Sequence, residues 1–224
     1  MGEAFAGDKK HGPPSILGPI ERKAINWIVP KLPAWMTSVH LVMSTVIWSL
    51  IIVFGSLAAE HWNINWLWLV SVMIFMQYVT DSLDGSLGKY RKEGLIKWGY
   101  YMDHFLDYVF LCSILIGYGF LLPDNQKYLL LFVLAILTAF MVNSFLAFAA
   151  TNRFKISYMG IGPTEIRLLF IIINTLIITF GKTYMAWSLP YVLLLSFLGL
   201  CIVVYRTQKE ICADDMHIKS QKNT

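Results

Sequence analysis

The sequence predicts an all-α integral membrane fold: six transmembrane helices preceded by an N-terminal amphipathic interfacial helix. Three observations carry that prediction. Of the 224 residues, 57% are hydrophobic and 14% charged, a balance too apolar for one soluble domain to hide in its core. Six apolar stretches come close to the roughly 20 residues whose helical length matches the hydrocarbon thickness of a bilayer. Finally, 16 of the 18 lysines and arginines fall in segments that a six-helix path places on one side of the membrane, the bias expected of cytosolic loops.

Taken in order, residues 1–18 read as a mobile polar tail without a signal-peptide core, and Ala6 stands where a myristoylation signal wants Ser or Thr. Residues 19–205 are the membrane domain, and 206–224 a cytosolic C-terminal tail. The lead-in 19–33 mixes Arg22, Lys23 and Lys31 with Ile20, Ile25, Trp27, Ile28 and Val29. That composition suits a helix lying among lipid headgroups, although Pro30 and Pro33 limit its length. The spans fall at 39–59, 66–83, 100–122, 128–150, 166–180 and 185–205. Only Lys127 and Lys182 lie in the opposite loops, so both termini are expected in the cytosol. Trp62, Trp66, Trp68, Tyr184 and Trp187 cluster near the outer ends as a membrane-interface belt. The net charge of +4 then reflects orientation, and with no nucleic-acid motif present no nucleic-acid partner is expected. Cys112, Cys201 and Cys212 form neither a metal-ligand pair nor a disulfide pattern and read as free thiols.

Against this apolar background four carboxylates stand out: Asp81, Asp84, Asp103 and Asp107. A carboxylate in or beside lipid costs at least a few kcal/mol unless a partner neutralises it, so it marks a functional site by default. Asp81 and Asp84 are three apart, and Gly99, Asp103 and Asp107 follow at four-residue steps, so each set shares one helix face. The helices are consecutive and antiparallel, expected to pack as neighbours, with Asp81 in the last turn of one and Asp103 and Asp107 in the first two turns of the other. All four acids then converge near the cytosolic ends. Two hard divalent cations, Mg²⁺ or Mn²⁺, balance such a cluster; oxygen-only ligands disfavour zinc. Paired ions of this kind clamp phosphate in in-line displacements. Gly85 lets a ligand approach the backbone, Gly99 leaves space between the helices, and Lys89 and Arg91 are placed to neutralise phosphate at the cavity mouth.

These residues resemble the CDP-alcohol phosphotransferases, whose signature reads Asp-x2-Asp-Gly-x2-Ala-Arg, eight or nine residues, then Gly-x3-Asp-x3-Asp. The chain supplies Asp81, Asp84, Gly85, Gly88 in place of Ala, Lys89 in place of Arg, nine residues, then Gly99, Asp103 and Asp107. The resemblance implies that Asp81 and Asp103 each touch both metals, Asp84 the first and Asp107 the second. It makes Asp107 the general base as well. Gly85 and Lys89 would contact the CDP part of the donor, Lys89 without the bidentate fork of Arg. The implied reaction transfers a phospho-alcohol unit from a CDP-alcohol donor to a hydroxyl acceptor, releasing CMP, in phospholipid biosynthesis. Membrane lipids are implied as partners and a homodimer as the assembly.

Thr37 and Ser38 open the first span where relatives often carry Thr-Pro-Asn-x-Leu-Thr near the cytidine. They are candidate nucleotide contacts, and Thr37 reads equally as a helix N-cap. Arg153, Lys155 and Arg167 flank Gly160-Ile-Gly162-Pro163-Thr164-Glu165, a run similar to a loop in the choline and ethanolamine branch of the family. They are candidates for an acceptor phosphate or a lipid headgroup, or serve simply as positive-inside residues. His104, about 100° around the helix from Asp103, reads as packing or as support for a ligand. Two donors stay open, CDP-diacylglycerol with a small polar acceptor and a CDP-linked small alcohol with a diacylglycerol-like acceptor. The alternative from another class is a carboxylate-lined cation transporter or channel, which expects acids near the bilayer midplane, often on broken helices.

Overall fold

Apolar runs long enough to cross a bilayer must satisfy every backbone polar group internally, and here they do so as helices. The computed structural model describes residues 18–155 and 162–222. The expected mobile tail lies outside the described residues apart from Gly18. Among the described residues seven α-helices follow one another: α1 (Gly18–Ile28), α2 (Ser38–His61), α3 (Leu67–Arg91), α4 (Ile96–Leu121), α5 (Lys127–Thr151), α6 (Pro163–Phe180) and α7 (Lys182–Lys222). Among the described residues, six of them are long and apolar enough to cross a membrane. The protein is an integral membrane protein, with a short helix, α1, ahead of these six.

α2 is the hub of the bundle, packed along both α3 and α4, while α3 also meets α6 and α5 meets α7. α3 and α4 each pack most extensively on α2, and they meet one another through side chains, with Gln77 of α3 3.2 Å from Asp107 of α4. The core is apolar, with Ile52, Leu67, Ile74 and Ile114 almost fully buried. Inside it a polar chain ties three helices together. The Tyr118 hydroxyl of α4 donates to Asn174 Oδ1 of α6 at 2.9 Å, and Asn174 Nδ2 donates to Ser71 Oγ of α3 at 3.0 Å. Each of these groups is satisfied, which is what buried polar atoms in a membrane interior require.

The helix ends depart from the sequence reading. α3 runs on past residue 83 to Arg91, and α4 starts at Ile96 instead of residue 100. Lys89, Arg91 and Lys97 are therefore helical; long basic side chains keep their stems on the helix and their heads in the polar layer, and cations suit the C-terminal end of α3. The connection is closed by Lys92 and Gly94, both in the left-handed region. Asp81 lies ten residues before the end of α3 and Asp107 eleven after the start of α4, about 15 Å along each axis. The acids thus sit two to three turns inside the helices and not at their tips. Both helices are continuous, unlike the broken helices a transporter site favours. α7 continues as helix through residues 206–222, the stretch read as the C-terminal tail.

α1 is amphipathic, with Ile25 and Ile28 turned inward and Arg22, Lys23 and Asn26 exposed. A single 3-10 turn, Val29–Lys31, begins at the expected stop by Pro30. Val29 is buried with Leu41 of α2 and Leu83 and Leu87 of α3, and the Ser82 hydroxyl donates to Glu21 at 2.9 Å. α1 is thereby fixed against the acid-bearing helix.

Candidate active site

Asp81, Asp103 and Asp107 each direct a carboxylate oxygen into one volume, with all three atoms within 4.8 Å of one another. They are partly buried, and together they can hold a metal ion. Asp84, three residues beyond Asp81 on α3, is buried and stands outside this trio. The donor set is carboxylate oxygen, the chemistry of a hard divalent cation. His104 Nδ1 lies 3.3 Å from Asp103 Oδ2. Its ring packs among Tyr100, Phe145 and Phe154, with Tyr100 at 4.4 Å between centroids, so one face of Asp103 is backed by an aromatic wall.

Two side chains complete the cluster, and sequence reasoning assigned neither to it. Arg167 is buried on α6, with Nη1 2.9 Å from Asp81 Oδ2 and Nη2 2.9 Å from Asp107 Oδ1. It shares the inward face of α6 with Phe170, Asn174 and Ile177, at the spacing of one helical stripe. Gln77 of α3 is fully buried, and its Nε2 lies 3.4 Å from Asp81 Oδ1 and 3.2 Å from Asp107 Oδ1. Its Oε1 has no hydrogen-bond partner among the described residues. Both were legible in principle. Gln77 stands four residues before Asp81, hence on its face, and an arginine one turn into an apolar span is a functional signal of the same kind as the acids.

Around the acids the glycines differ in what they face. A side chain at Gly85 or Gly99 would meet nothing within 4 Å, whereas one at Gly88 would touch Ser38 at 3.4 Å. Gly88 thus lets the start of α2 rest on α3, while Gly85 and Gly99 border open space. Lys89 falls one turn beyond Gly85 on α3.

The remaining candidates have local partners. Thr37 is the N-cap of α2, its hydroxyl accepting from the His40 N–H while the Thr37 N–H donates to His40 Nδ1 at 3.1 Å. Ser38 donates its N–H to both oxygens of Glu93 at 3.1 and 3.2 Å, and its hydroxyl to the same carboxylate. The Arg91 guanidinium donates to the carbonyls of Leu32, Pro33, Ala34 and Met36, which makes it the clasp between α3 and the segment leading into α2. Arg153 pairs with Asp214 of α7 at 3.0 Å, and Lys155 pairs with Glu210. Those two basic residues thus hold the α7 extension, and only Arg167 of the three reaches the acids.

The family model described as CDP-alcohol phosphatidyltransferase matches residues 30–200, a span that holds all six candidate membrane helices in whole or in part and the entire acid cluster. The chain belongs to the CDP-alcohol phosphatidyltransferase family. No curated protein matches it. Membership makes it a transferase of lipid synthesis that takes a phospho-alcohol unit from a CDP-alcohol, in a family generally dependent on divalent metal.

Proposed function

We propose that this protein is a metal-dependent phosphotransferase that passes the phospho-alcohol unit of a CDP-alcohol to a hydroxyl acceptor and releases CMP at the cytosolic leaflet. The observation that carries the reading is the convergence of three carboxylate oxygens from two helices within 4.8 Å, beside open space at Gly85 and Gly99. Carboxylates alone form the donor set, which fits Mg²⁺ or Mn²⁺. Asp81, Asp103 and Asp107, with Asp84 on the adjoining turn, would hold two such ions. When bound, the ions stabilise negative charge on the phosphates being separated.

The chain's own residues do the rest. Gly85 admits the donor to the surface of α3, and Lys89 lends one positive charge to its phosphates. Asp107 accepts the proton of the acceptor hydroxyl as that oxygen attacks phosphorus and the bond to CMP breaks. No covalent enzyme intermediate is required. His104 and the rings around it hold Asp103 in place. The site's opening belongs to the end of the bundle that carries the basic residues, which is the cytosolic end by the positive-inside bias, and the functional unit is a homodimer.

Asp107→Asn tests the assignment of the base. CMP release should fall by at least about 10²-fold while Mn²⁺ binding survives, and undiminished turnover would remove Asp107 from the role.

A further inference from the structure

We propose that Arg167 is a resident counter-cation that the acid cluster exchanges for divalent metal. Its guanidinium holds Asp81 and Asp107 together in the metal-free protein and gives up at least one of them when an ion enters. The inference rests on the metal-dependent reading above and concerns what occupies the acids before metal arrives.

Both carboxylates that Arg167 bridges, at 2.9 Å each, belong to the trio whose oxygens converge within 4.8 Å. An ion held by that trio and the guanidinium compete for the same ligands. Without either cation, carboxylates from α3 and α4 would face one another in a buried setting and repel strongly. A guanidinium suits the task because it is always charged, weakly hydrated and forked, so its two terminal nitrogens reach acids on two different helices.

Displacement has a direction. α6 itself is pinned by the Tyr118–Asn174–Ser71 chain two turns further on, so the side chain moves and not the helix. A cavity of about 60 Å³ adjoins Arg167, lined by Phe75, Tyr78, Thr164, Leu168 and Ile171. The lining is almost wholly apolar, so the cavity gives the side chain room to swing while its charge keeps one carboxylate partner. Gln77 keeps its own contacts to Asp81 and Asp107 and steadies both carboxylates during the exchange.

The test uses the full chain, purified and stripped of metal, with Mn²⁺ titration read by electron paramagnetic resonance and melting followed with and without Mn²⁺. R167Q should bind Mn²⁺ at least tenfold more tightly than the unaltered protein, melt at a lower temperature without metal, and gain more from Mn²⁺. R167K keeps a charge that cannot span both acids; its Mn²⁺ affinity should fall between the two, and it decides the matter alone should R167Q not fold. Equal or weaker Mn²⁺ binding by the variants overturns the exchange and leaves the metal reading standing. No Mn²⁺ binding by the unaltered protein overturns both.

Discussion

Gly117 of α4 lies directly against Ser56 of α2: a Cβ placed on Gly117 would stand 2.3 Å from the Ser56 hydroxyl and 2.9 Å from its Cβ. No side chain can occupy that space without moving a helix, so the missing side chain sets the distance at which α4 rests on the hub. Gly117→Ala should destabilise the protein by about 1–3 kcal/mol, seen as a lower melting temperature in detergent. Pairing it with Ser56→Gly should recover much of the loss, since the clash is with that one residue.

Gly85 is the opposite case. Its surroundings are open within 4 Å and it lies inside α3, so Gly85→Ala should hold or slightly raise the melting temperature, alanine being favoured over glycine in a helix interior by about 0.5–1 kcal/mol. If the donor approaches α3 there, the added methyl should raise KM for the CDP-alcohol by about tenfold or more, measured as CMP release against donor concentration. An unchanged KM would move the donor away from this turn. Together the two glycines separate a packing requirement from a binding requirement within one bundle.

The membrane architecture and the acids were legible in the sequence because each follows from local pattern. Lengths of apolar chain give the spans, and spacings of three and four put Asp81 with Asp84 and Asp103 with Asp107. Helix ends were less legible. Lys89 and Arg91 read as loop because charge usually leaves the bilayer, yet α3 carries them as helix. Arg167 escaped assignment because its partners are sixty and more residues away, a relation that only the packing of α6 on α3 creates. The same limit applies to Arg91, whose acceptors lie more than fifty residues earlier.

Gln77 joins the two acid-bearing helices through one amide, with Nε2 3.2 Å from Asp107 on α4 and 3.4 Å from Asp81 on its own helix. Gln77→Leu keeps approximate size and removes both donors. Groups that orient ligand carboxylates typically cost 10- to 100-fold when lost, so kcat at saturating Mg²⁺ should drop by about that factor. Gln77→Glu adds a fifth acid instead, and should lower the melting temperature without metal while Mn²⁺ restores it.

Arg91 makes a prediction about stability in place of phosphate binding. Its fork reaches four carbonyls between Leu32 and Met36, an array an ammonium cannot reproduce. Arg91→Lys should loosen this segment, so that trypsin cleaves after Lys31 faster than in the unaltered protein, with the Mg²⁺ concentration for half-maximal activity unchanged. A raised KM for the CDP donor with unaltered cleavage would return Arg91 to the phosphates.

Orientation is testable with a residue the chain already carries. Cys212 is exposed on the α7 extension, a part of the helix rich in charge, whereas Cys201 lies within the apolar stretch and Cys112 is partly buried. A thiolate reacts only where water reaches it, so an impermeant maleimide should report Cys212 first. If the basic loops face the cytosol, intact cells should leave Cys212 unmodified and inside-out membrane vesicles should label it, with Cys212→Ser removing the signal. Arg153 and Lys155 pair with Asp214 and Glu210 on either side of Cys212, so the reporter sits at the same end of the bundle as the start of α6 and Arg167. Labelling in intact cells would therefore place the acid cluster's opening on the outer face, and a CDP-alcohol would have to reach it from that side.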